Sequence, residues 1–262
     1  MFQDGNTLKI DRNSELEGKV AIITGSARNI GKRTAIELAN AGAAVVINAV
    51  SARDLCEDVA NEIENGGGRA IPIIADITKE RDVEKIVAET VSAFGGIDIL
   101  VNNAAIRTKK HFTELTFEDW EKLRQVALDG SFRMSMATVP HIIKRGGGSV
   151  VGIHGMSSYS AGPMGAHKSA VKCGMAGMLR GMARDLGEHN ITCNIAVVGR
   201  FDTERVGSSG EIEPAHADLG IPLQRRGTPQ DMAELIRFLV GPFSRYISGQ
   251  TIQLNGAALM PH

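Results

Sequence analysis

A glycine-rich turn suited to phosphate binding lies at residues 24–31, which read Thr-Gly-Ser-Ala-Arg-Asn-Ile-Gly. Gly25 and Gly31 allow a tight turn and a close approach of the backbone to a pyrophosphate. The turn follows an apolar run at 20–24 and opens a helix-like segment. Free N–H groups and the partial positive charge of a helix N-terminus would therefore face the same point. This arrangement predicts a dinucleotide site.

Side chains that can transfer a proton lie between residues 154 and 168. His154 is a capable acid near neutral pH, and Tyr159 carries a phenol in a chain with only two tyrosines. Lys168 adds an ammonium group. His154 and Tyr159 are the candidates for acid catalysis next to a bound cofactor.

Alternating strands and helices would have to position both groups. Seven short apolar runs are separated by helix-like segments, and such strands imply a parallel sheet covered on both faces. Right-handed crossovers then give a doubly wound, Rossmann-type α/β fold. The runs are 20–24, 44–47, 70–74, 97–101, 149–153, 191–197 and 251–254.

The pattern predicts one domain. Residues 1–15 are interpreted as an N-terminal arm and residues 16–262 as a single dinucleotide-binding domain. The polar, irregular stretch at about 199–227 is long for a connection, and such loops often serve as lids.

Several ordered motifs resemble those of the short-chain dehydrogenase/reductase family, with likeness to 3-oxoacyl-carrier-protein reductases. The turn at 24–31 is similar to Thr-Gly-x-x-x-Gly-x-Gly, and Asn102–Ala105 is similar to Asn-Asn-Ala-Gly. Asn194–Thr203 resembles Asn-x-x-x-Pro-Gly-x-x-x-Thr, with Val198 in the place of proline. Tyr246–Gln250 resembles the entry to the family's last strand, so the likeness covers roughly Leu16 to Ala257.

The resemblance implies a nicotinamide cofactor. Asn29 replaces the middle glycine of the first motif, and asparagine tolerates left-handed backbone better than most residues. Ala105 replaces the last glycine of the second motif. The implied cofactor contacts are Gly25, Ser26, Arg28, Asn29, Ile30, Gly31, Val50, Ser51, Asp76, Ile77, Asn103, Ala104, Ala105, Lys168, Gly199, Phe201 and Thr203.

The end of the second strand favours NADP(H) over NAD(H). Enzymes that use NAD place an acid there for the ribose 2′-hydroxyl, but this chain has Ala49, Val50 and Ser51. The guanidinium of Arg28, in the phosphate loop, is well suited to a 2′-phosphate, and Arg53 could add to it.

The catalytic positions depart from the family, which uses Asn, Ser, Tyr and Lys. Lys168 matches the lysine, which by resemblance binds the nicotinamide ribose hydroxyls, and Met164 stands four residues before it in place of the tyrosine. Gly155 takes the serine's place and Ala127 the asparagine's. A thioether cannot donate a proton. The connection from Gly155 to the next helix is about four residues shorter than in the family, which leaves the local alignment open.

Three functions are compatible with this site. The first is an NADP(H)-dependent oxidoreductase with an altered proton donor, acting on a quinone-like or other conjugated carbonyl whose spread charge needs no strong acid. The second is an ordinary carbonyl reductase in which Tyr159 or His154 donates the proton. The third is an inactive dinucleotide-binding pseudoenzyme that serves as a sensor or a partner subunit.

Composition excludes several other classes. A formal net charge of -1 gives no general attraction to nucleic acid or anionic membrane, and no apolar run approaches the roughly 18 residues of a membrane span. Three widely spaced cysteines suggest reduced thiols in the cytoplasm, and no metal-ligand pattern is present. The resemblance implies a homo-oligomer, a dimer or tetramer, built through helices at about 116–144 and 164–186.

Overall fold

The computed structural model describes residues 12–106, 108–160, 162–203 and 220–260. They contain a seven-stranded sheet in the order β3-β2-β1-β4-β5-β6-β7, and every pair of neighbouring strands is parallel. The predicted Rossmann-type fold is confirmed. The strands are β1 Val20–Ile23, β2 Ala44–Ala49, β3 Arg69–Ile74, β4 Ile99–Asn102, β5 Gly148–Gly155, β6 Ile191–Val198 and β7 Thr251–Leu254.

Helices cover both faces of the sheet. They are α1 Asn29–Asn40, α2 Arg53–Asn65, α3 Glu80–Phe94, α4 Phe117–Arg124, α5 Gly130–Lys144, α6 Ser157–Ser160, α7 Ala166–Asp185 and α8 Pro229–Val240. One apolar core cluster joins the sheet to α1, α2 and α8, and a second joins it to α3, α5 and α7. The strands read as continuous apolar runs because both faces are buried.

The strand order reverses between β1 and β4, which lie side by side with Ile23 opposite Val101. In open α/β sheets, ligands bind in the crevice outside the carboxyl ends of the strands at such a switch point. The glycine-rich turn follows β1 and the Asn102–Ala105 segment follows β4. The fold therefore brings these two distant motifs together at one edge.

The long helix predicted near 116–144 is divided. Helix α4 begins at a capping box in which Thr116 and Asp119 bond each other's backbone N–H groups, and a π-helical turn at Gln125–Asp129 separates it from α5. Helix α5 continues directly from this turn at Gly130. Ala127 lies inside the π turn and is fully buried.

Both ends of the stretch at 199–227 lie together. Phe201 and Gly227 form an isolated parallel bridge, and the N–H of Asp202 donates to the carbonyl of Gly227 at 2.9 Å. Most of the predicted lid, residues 204–219, lies outside the described residues. Residues 1–11 of the predicted arm do so as well, whereas Glu15 pairs with Arg237 at 2.5 Å.

No helix of the described ranges is long and apolar enough to cross a membrane.

Candidate functional site

The glycine-rich turn has no room for a larger residue at its last glycine. A Cβ on Gly31 would lie 2.5 Å from the carbonyl oxygen of Gly25 and 2.7 Å from the Cα of Ser26. Gly25 has a φ of +64° and Asn29 a φ of +51°, so the asparagine adopts the left-handed backbone expected of it. Helix α1 begins at Asn29 with neither a side-chain cap nor an acidic residue in its first turn. Its N-terminus is therefore suited to an anion.

Asn103 joins the two motifs. Its side-chain amide donates to the carbonyl oxygens of Thr24 and Gly25, each at 2.8 Å. The hydroxyl oxygen of Thr24 accepts in return from the backbone N–H groups of Asn103 at 3.1 Å and Ala104 at 3.0 Å. Because hydrogen bonds run in both directions between the two motifs, the segment after β4 holds the glycine-rich turn in one shape.

Asn48 is a supporting residue that the sequence reasoning missed. Its side-chain amide donates to the carbonyl oxygens of Ile73 and Ala75, both at 3.1 Å. Its backbone N–H donates to the hydroxyl of Ser26 at 2.9 Å, and that hydroxyl donates to the carbonyl of Ile23 at 2.7 Å. This network links the carboxyl ends of β1, β2 and β3. A buried polar residue inside the apolar run of β2 was the available signal.

The predicted 2′-phosphate region carries no acid on β2 or directly after it. Val50 is 61% exposed, and Arg28 and Ser51 are also exposed. Arg53 lies 3.5 Å from Glu57. Among the residues that the structure describes, no carboxylate lies within ion-pair distance of Arg28, so its charge is available to a ligand.

Two further groups of predicted cofactor contacts follow β3 and β6. The carboxylate of Asp76 accepts from the N–H and the hydroxyl of Thr78 at 3.0 and 2.8 Å, and Ile77 is buried. A Cβ on Gly199 would lie 2.6 Å from the Cα of Asn255, and Thr203 is 9% exposed. They follow β3 and β6, which lie on either side of the β1–β4 pair in the strand order.

His154 and Tyr159 stack on each other inside the protein. Their ring centroids are 5.5 Å apart, and Tyr159 lies in the one-turn helix α6. Burial, and then the Lys172 ammonium, lowers the pKa of His154 to about 4, so this histidine is neutral near pH 7. Among the described residues, the buried hydroxyl of Tyr159 has no hydrogen-bond partner. The Tyr159 side chain packs against the second core cluster, as do Met178 and Met182.

The three residues at the predicted positions of the family's tyrosine, serine and asparagine have no polar side chain. Met164 is 44% exposed and has a φ of +56°, one residue before the N-cap of α7. Gly155 ends β5 next to Val198, and Ala127 is buried in the π turn. At these three positions the site has no phenol or hydroxyl that could bond a substrate oxygen.

Helix α7 presents two lysines one turn apart, Lys168 and Lys172. The ammonium of Lys172 donates to the carbonyl oxygen of Ile153 at 3.1 Å, and burial lowers its pKa to about 8. Sequence reasoning did not select Lys172. The short connection after Gly155 was the available signal. If the alignment is shifted by four residues to correct for it, the family's lysine matches Lys172 instead of Lys168.

The start of α7 docks on the segment that follows β4. Thr108 and His167 share a hydrogen bond of 2.7 Å, and the N–H of Lys110 donates to the carbonyl of Met164 at 3.4 Å. The same segment begins with Asn103, which contacts the glycine-rich turn. The segment after β4 therefore contacts both the dinucleotide turn and the start of α7.

Comparisons with known proteins agree with this geometry. The family profile described as Enoyl-(Acyl carrier protein) reductase matches residues 25–257. The chain is 33% identical over 245 residues to the 3-oxoacyl-[acyl-carrier-protein] reductase FabG of Thermotoga maritima, covering 94% of this chain and 99% of that protein. It is 34% identical over 249 residues to the 7alpha-hydroxysteroid dehydrogenase of Escherichia coli, covering 94% and 96%.

A solved structure is equally similar. A short-chain dehydrogenase from Burkholderia cenocepacia, in complex with NADP, superposes with a TM-score of 0.85 at 34% identity, covering 93% of this chain and 99% of that one. Fold, site and comparisons together define a Rossmann-fold dinucleotide-binding protein. The chain belongs to the short-chain dehydrogenase/reductase family of oxidoreductases.

Proposed function

We propose that this protein is an NADP(H)-dependent oxidoreductase with an altered proton-donor site, which reduces a quinone-like or other conjugated carbonyl. The observation that carries the proposal is the cradle at Gly31, where backbone and the Asn103 amide leave no space for a side chain. Such tight packing suits a pyrophosphate that contacts backbone N–H groups directly. When bound, the nicotinamide would supply or accept the hydride.

The charge pattern supports NADP(H) over NAD(H). Arg28 is exposed beside the turn with no carboxylate in ion-pair range among the described residues, and the end of β2 carries no acid. A guanidinium binds a 2′-phosphate with two parallel hydrogen bonds. The Burkholderia cenocepacia relative, whose structure contains NADP, supports the same choice.

The proposed substrate class follows from the absence of the family's usual proton-donating side chain. Reduction of a simple ketone places full negative charge on one oxygen, and removal of the usual acid costs about two to four orders of magnitude. A quinone spreads that charge over its ring. Since the predicted catalytic places carry no phenol or hydroxyl, a delocalised acceptor is the better match.

The decisive experiment is NADPH oxidation by purified protein with a quinone, a diketone, an acyl thioester and a simple aldehyde. Dinucleotide binding is measured on the same sample. Turnover with the quinone and very poor rates with the aldehyde are expected. Tight NADPH binding without any turnover would instead favour the pseudoenzyme, and failure to bind NADPH would overturn both.

We also propose that the protein forms a homo-oligomer through α5 and α7. Phe132 and Met136, one turn apart on α5, are 52% and 62% exposed. On α7, a Cβ added to Gly177 or Gly181 would meet no atom within 4 Å, so a partner helix could approach closely there. Light scattering should report a dimer or tetramer, and Met136→Glu should shift it toward the monomer. A monomeric wild type would contradict the proposal.

A further inference from the structure

The two lysines of α7 differ in what holds them. Residues four apart on a helix share one face, so Lys168 and Lys172 lean toward the same side. The ammonium of Lys172 is tied to the carbonyl oxygen of Ile153 on β5. Lys172 is therefore fixed at the sheet edge.

Lys168 lies one turn nearer the start of the helix and is not tied in this way. Its Nζ lies 3.9 Å from the position of a Cβ on Gly165, so the side chain folds back over the first turn of α7. Neither a hydrogen bond nor an ion pair holds its ammonium among the described residues. Thr108 bonds His167, the residue before Lys168, and the N–H of Lys110 bonds the carbonyl of Met164 near this end of α7.

The other candidate acids are less suited to the task. The ring of His154 is buried and neutral near pH 7, and Tyr159 stacks on it with its hydroxyl buried. His167 uses its Nε2 atom in the hydrogen bond to Thr108. Lys168, by contrast, is partly exposed, and its ammonium has no bonding partner in the described part of the chain.

The sequence spacing leads to the same residue. The connection after Gly155 is short by about four residues when Lys168 is matched to the family's lysine. A shift of four places that lysine at Lys172, and the proton donor four residues earlier then falls on Lys168 rather than Met164. The motif becomes Lys-x-x-x-Lys, with an amine where a phenol is usual.

We propose that the ammonium of Lys168 is the proton donor of this site and that Lys172 takes the place of the family's lysine. This inference rests on the proposed function. In the reduction, the conjugated acceptor takes a hydride from NADPH at one end of its conjugated system, and the π electrons move to the carbonyl oxygen at the other end. That oxygen takes a proton from Lys168, which leaves a neutral amine that regains a proton from water. NADPH is oxidised and the carbonyl is reduced by two electrons.

The environment of Lys168 favours this chemistry. Burial, and then the ammonium of Lys109, lowers the pKa of Lys168 below the ordinary lysine value. A lower pKa makes an ammonium a stronger acid near neutral pH. Its positive charge would also stabilise the developing oxyanion before the proton moves.

Chemical rescue tests the assignment. With the best acceptor of the panel, Lys168→Ala should lower kcat by about ten- to a hundredfold, less than expected for a simple ketone because the acceptor spreads the charge, and added methylamine should restore most of that loss. Lys172→Ala should not respond to methylamine, and Lys144→Ala, an exposed lysine at the far end of α5, should behave as wild type. A Lys168→Ala rate above half of the wild-type rate, or a loss without amine rescue, would overturn the proposal.

A second measurement is independent of turnover. Lysine labelled with ¹³C at Cε is titrated by NMR in the wild type, with Lys168→Gln and Lys172→Gln used to assign the two signals. Lys168 should titrate below the ordinary value of about 10.4 and respond to bound NADP⁺. An ordinary titration with no response to NADP⁺ would refute the donor role. If no acceptor oxidises NADPH, the proposed function fails while this titration still decides the state of Lys168.

Discussion

The side-chain amide of Asn103 lies 2.8 Å from the carbonyl oxygen of Gly25, although the two residues are 78 positions apart in the chain. The same amide reaches the carbonyl of Thr24. This contact fixes the glycine-rich turn from the neighbouring strand, so the shape of the cofactor site depends on a residue outside the turn.

Asn103→Ala should weaken both cofactor binding and the fold. The substitution removes two hydrogen bonds donated by the side-chain amide. The carbonyl oxygens of Thr24 and Gly25 then lack this donor, at a cost of about 1–3 kcal/mol. We expect a lower Tm in thermal denaturation and a Kd for NADPH raised by about tenfold. Asn61→Ala, on the exposed side of α2, is the control. Equal Kd values for the two variants would show that Asn103 does not shape the site.

Gly31→Ala should abolish tight dinucleotide binding. The added methyl group would lie 2.5 Å from the carbonyl oxygen of Gly25 and 2.6 Å from Nδ2 of Asn103, so the turn must open. Binding measured by calorimetry should fall by at least about tenfold. The control is Gly187→Ala, where a Cβ would meet open space. Unchanged affinity in Gly31→Ala would mean that the cradle does not hold the pyrophosphate.

Arg28→Gln should reduce the preference for NADPH. Loss of the guanidinium removes a charge-assisted contact to the 2′-phosphate, worth about 1.5–3 kcal/mol. The Kd for NADPH should rise by about tenfold or more while the Kd for NADH stays nearly constant. Arg184→Gln, on the exposed face of α7, is the matched control. A parallel loss for both cofactors would argue against a 2′-phosphate contact.

The architecture was predictable because it depends on local pattern. Continuous apolar runs at 44–47 and 191–197, alternating with helices, leave few arrangements other than a covered parallel sheet. The dinucleotide turn was equally accessible, since Gly31 and its position after β1 carry the signal in sequence. The π turn at 125–129 was not predictable in this way.

The proton-donor region was harder to predict because its properties come from tertiary packing. Apart from the short connection after Gly155, the sequence does not distinguish Lys172 from Lys168. The hydrogen bond to the carbonyl of Ile153 and the surrounding burial separate them in the structure. The stacking of His154 on Tyr159 likewise depends on how α6 packs on the sheet. The sequence identified His154 and Tyr159 as candidate acids, but it is burial in the folded protein that keeps His154 neutral.

Arg237 should be essential for stability. It lies 2.5 Å from Glu15 and 2.6 Å from Glu37, and all three side chains are less than 8% exposed. Removal of one partner from a buried ion pair costs about 3–5 kcal/mol. Arg237→Met should lower the free energy of unfolding in urea by about that amount, while Arg184→Met on the exposed face of α7 should not. A change below about 1 kcal/mol would contradict a structural role for the pair.

The same cluster gives a pH dependence. Burial alone would raise the pKa of Glu37, but hydrogen bonds from Arg237 and Gln230 hold it below the ordinary value. Because the folded-state pKa is depressed, the carboxylate stabilises the protein above its unfolded-state pKa. That contribution is lost as the pH falls through the lower folded-state pKa. Arg237→Met should reduce this acid sensitivity.

Buried His154 should make the protein less stable in mild acid. Its pKa is about 4 in the folded protein against 6.5 when unperturbed, so the unfolded chain binds more protons between these values. Stability should therefore fall as the pH drops from 6.5 to 4, by about 3 kcal/mol from this group alone. His154→Phe keeps a ring against Tyr159 and should flatten the dependence seen in urea unfolding at pH 7 and pH 4.5. If wild type and variant lose the same stability over that interval, the histidine is not buried in its neutral form.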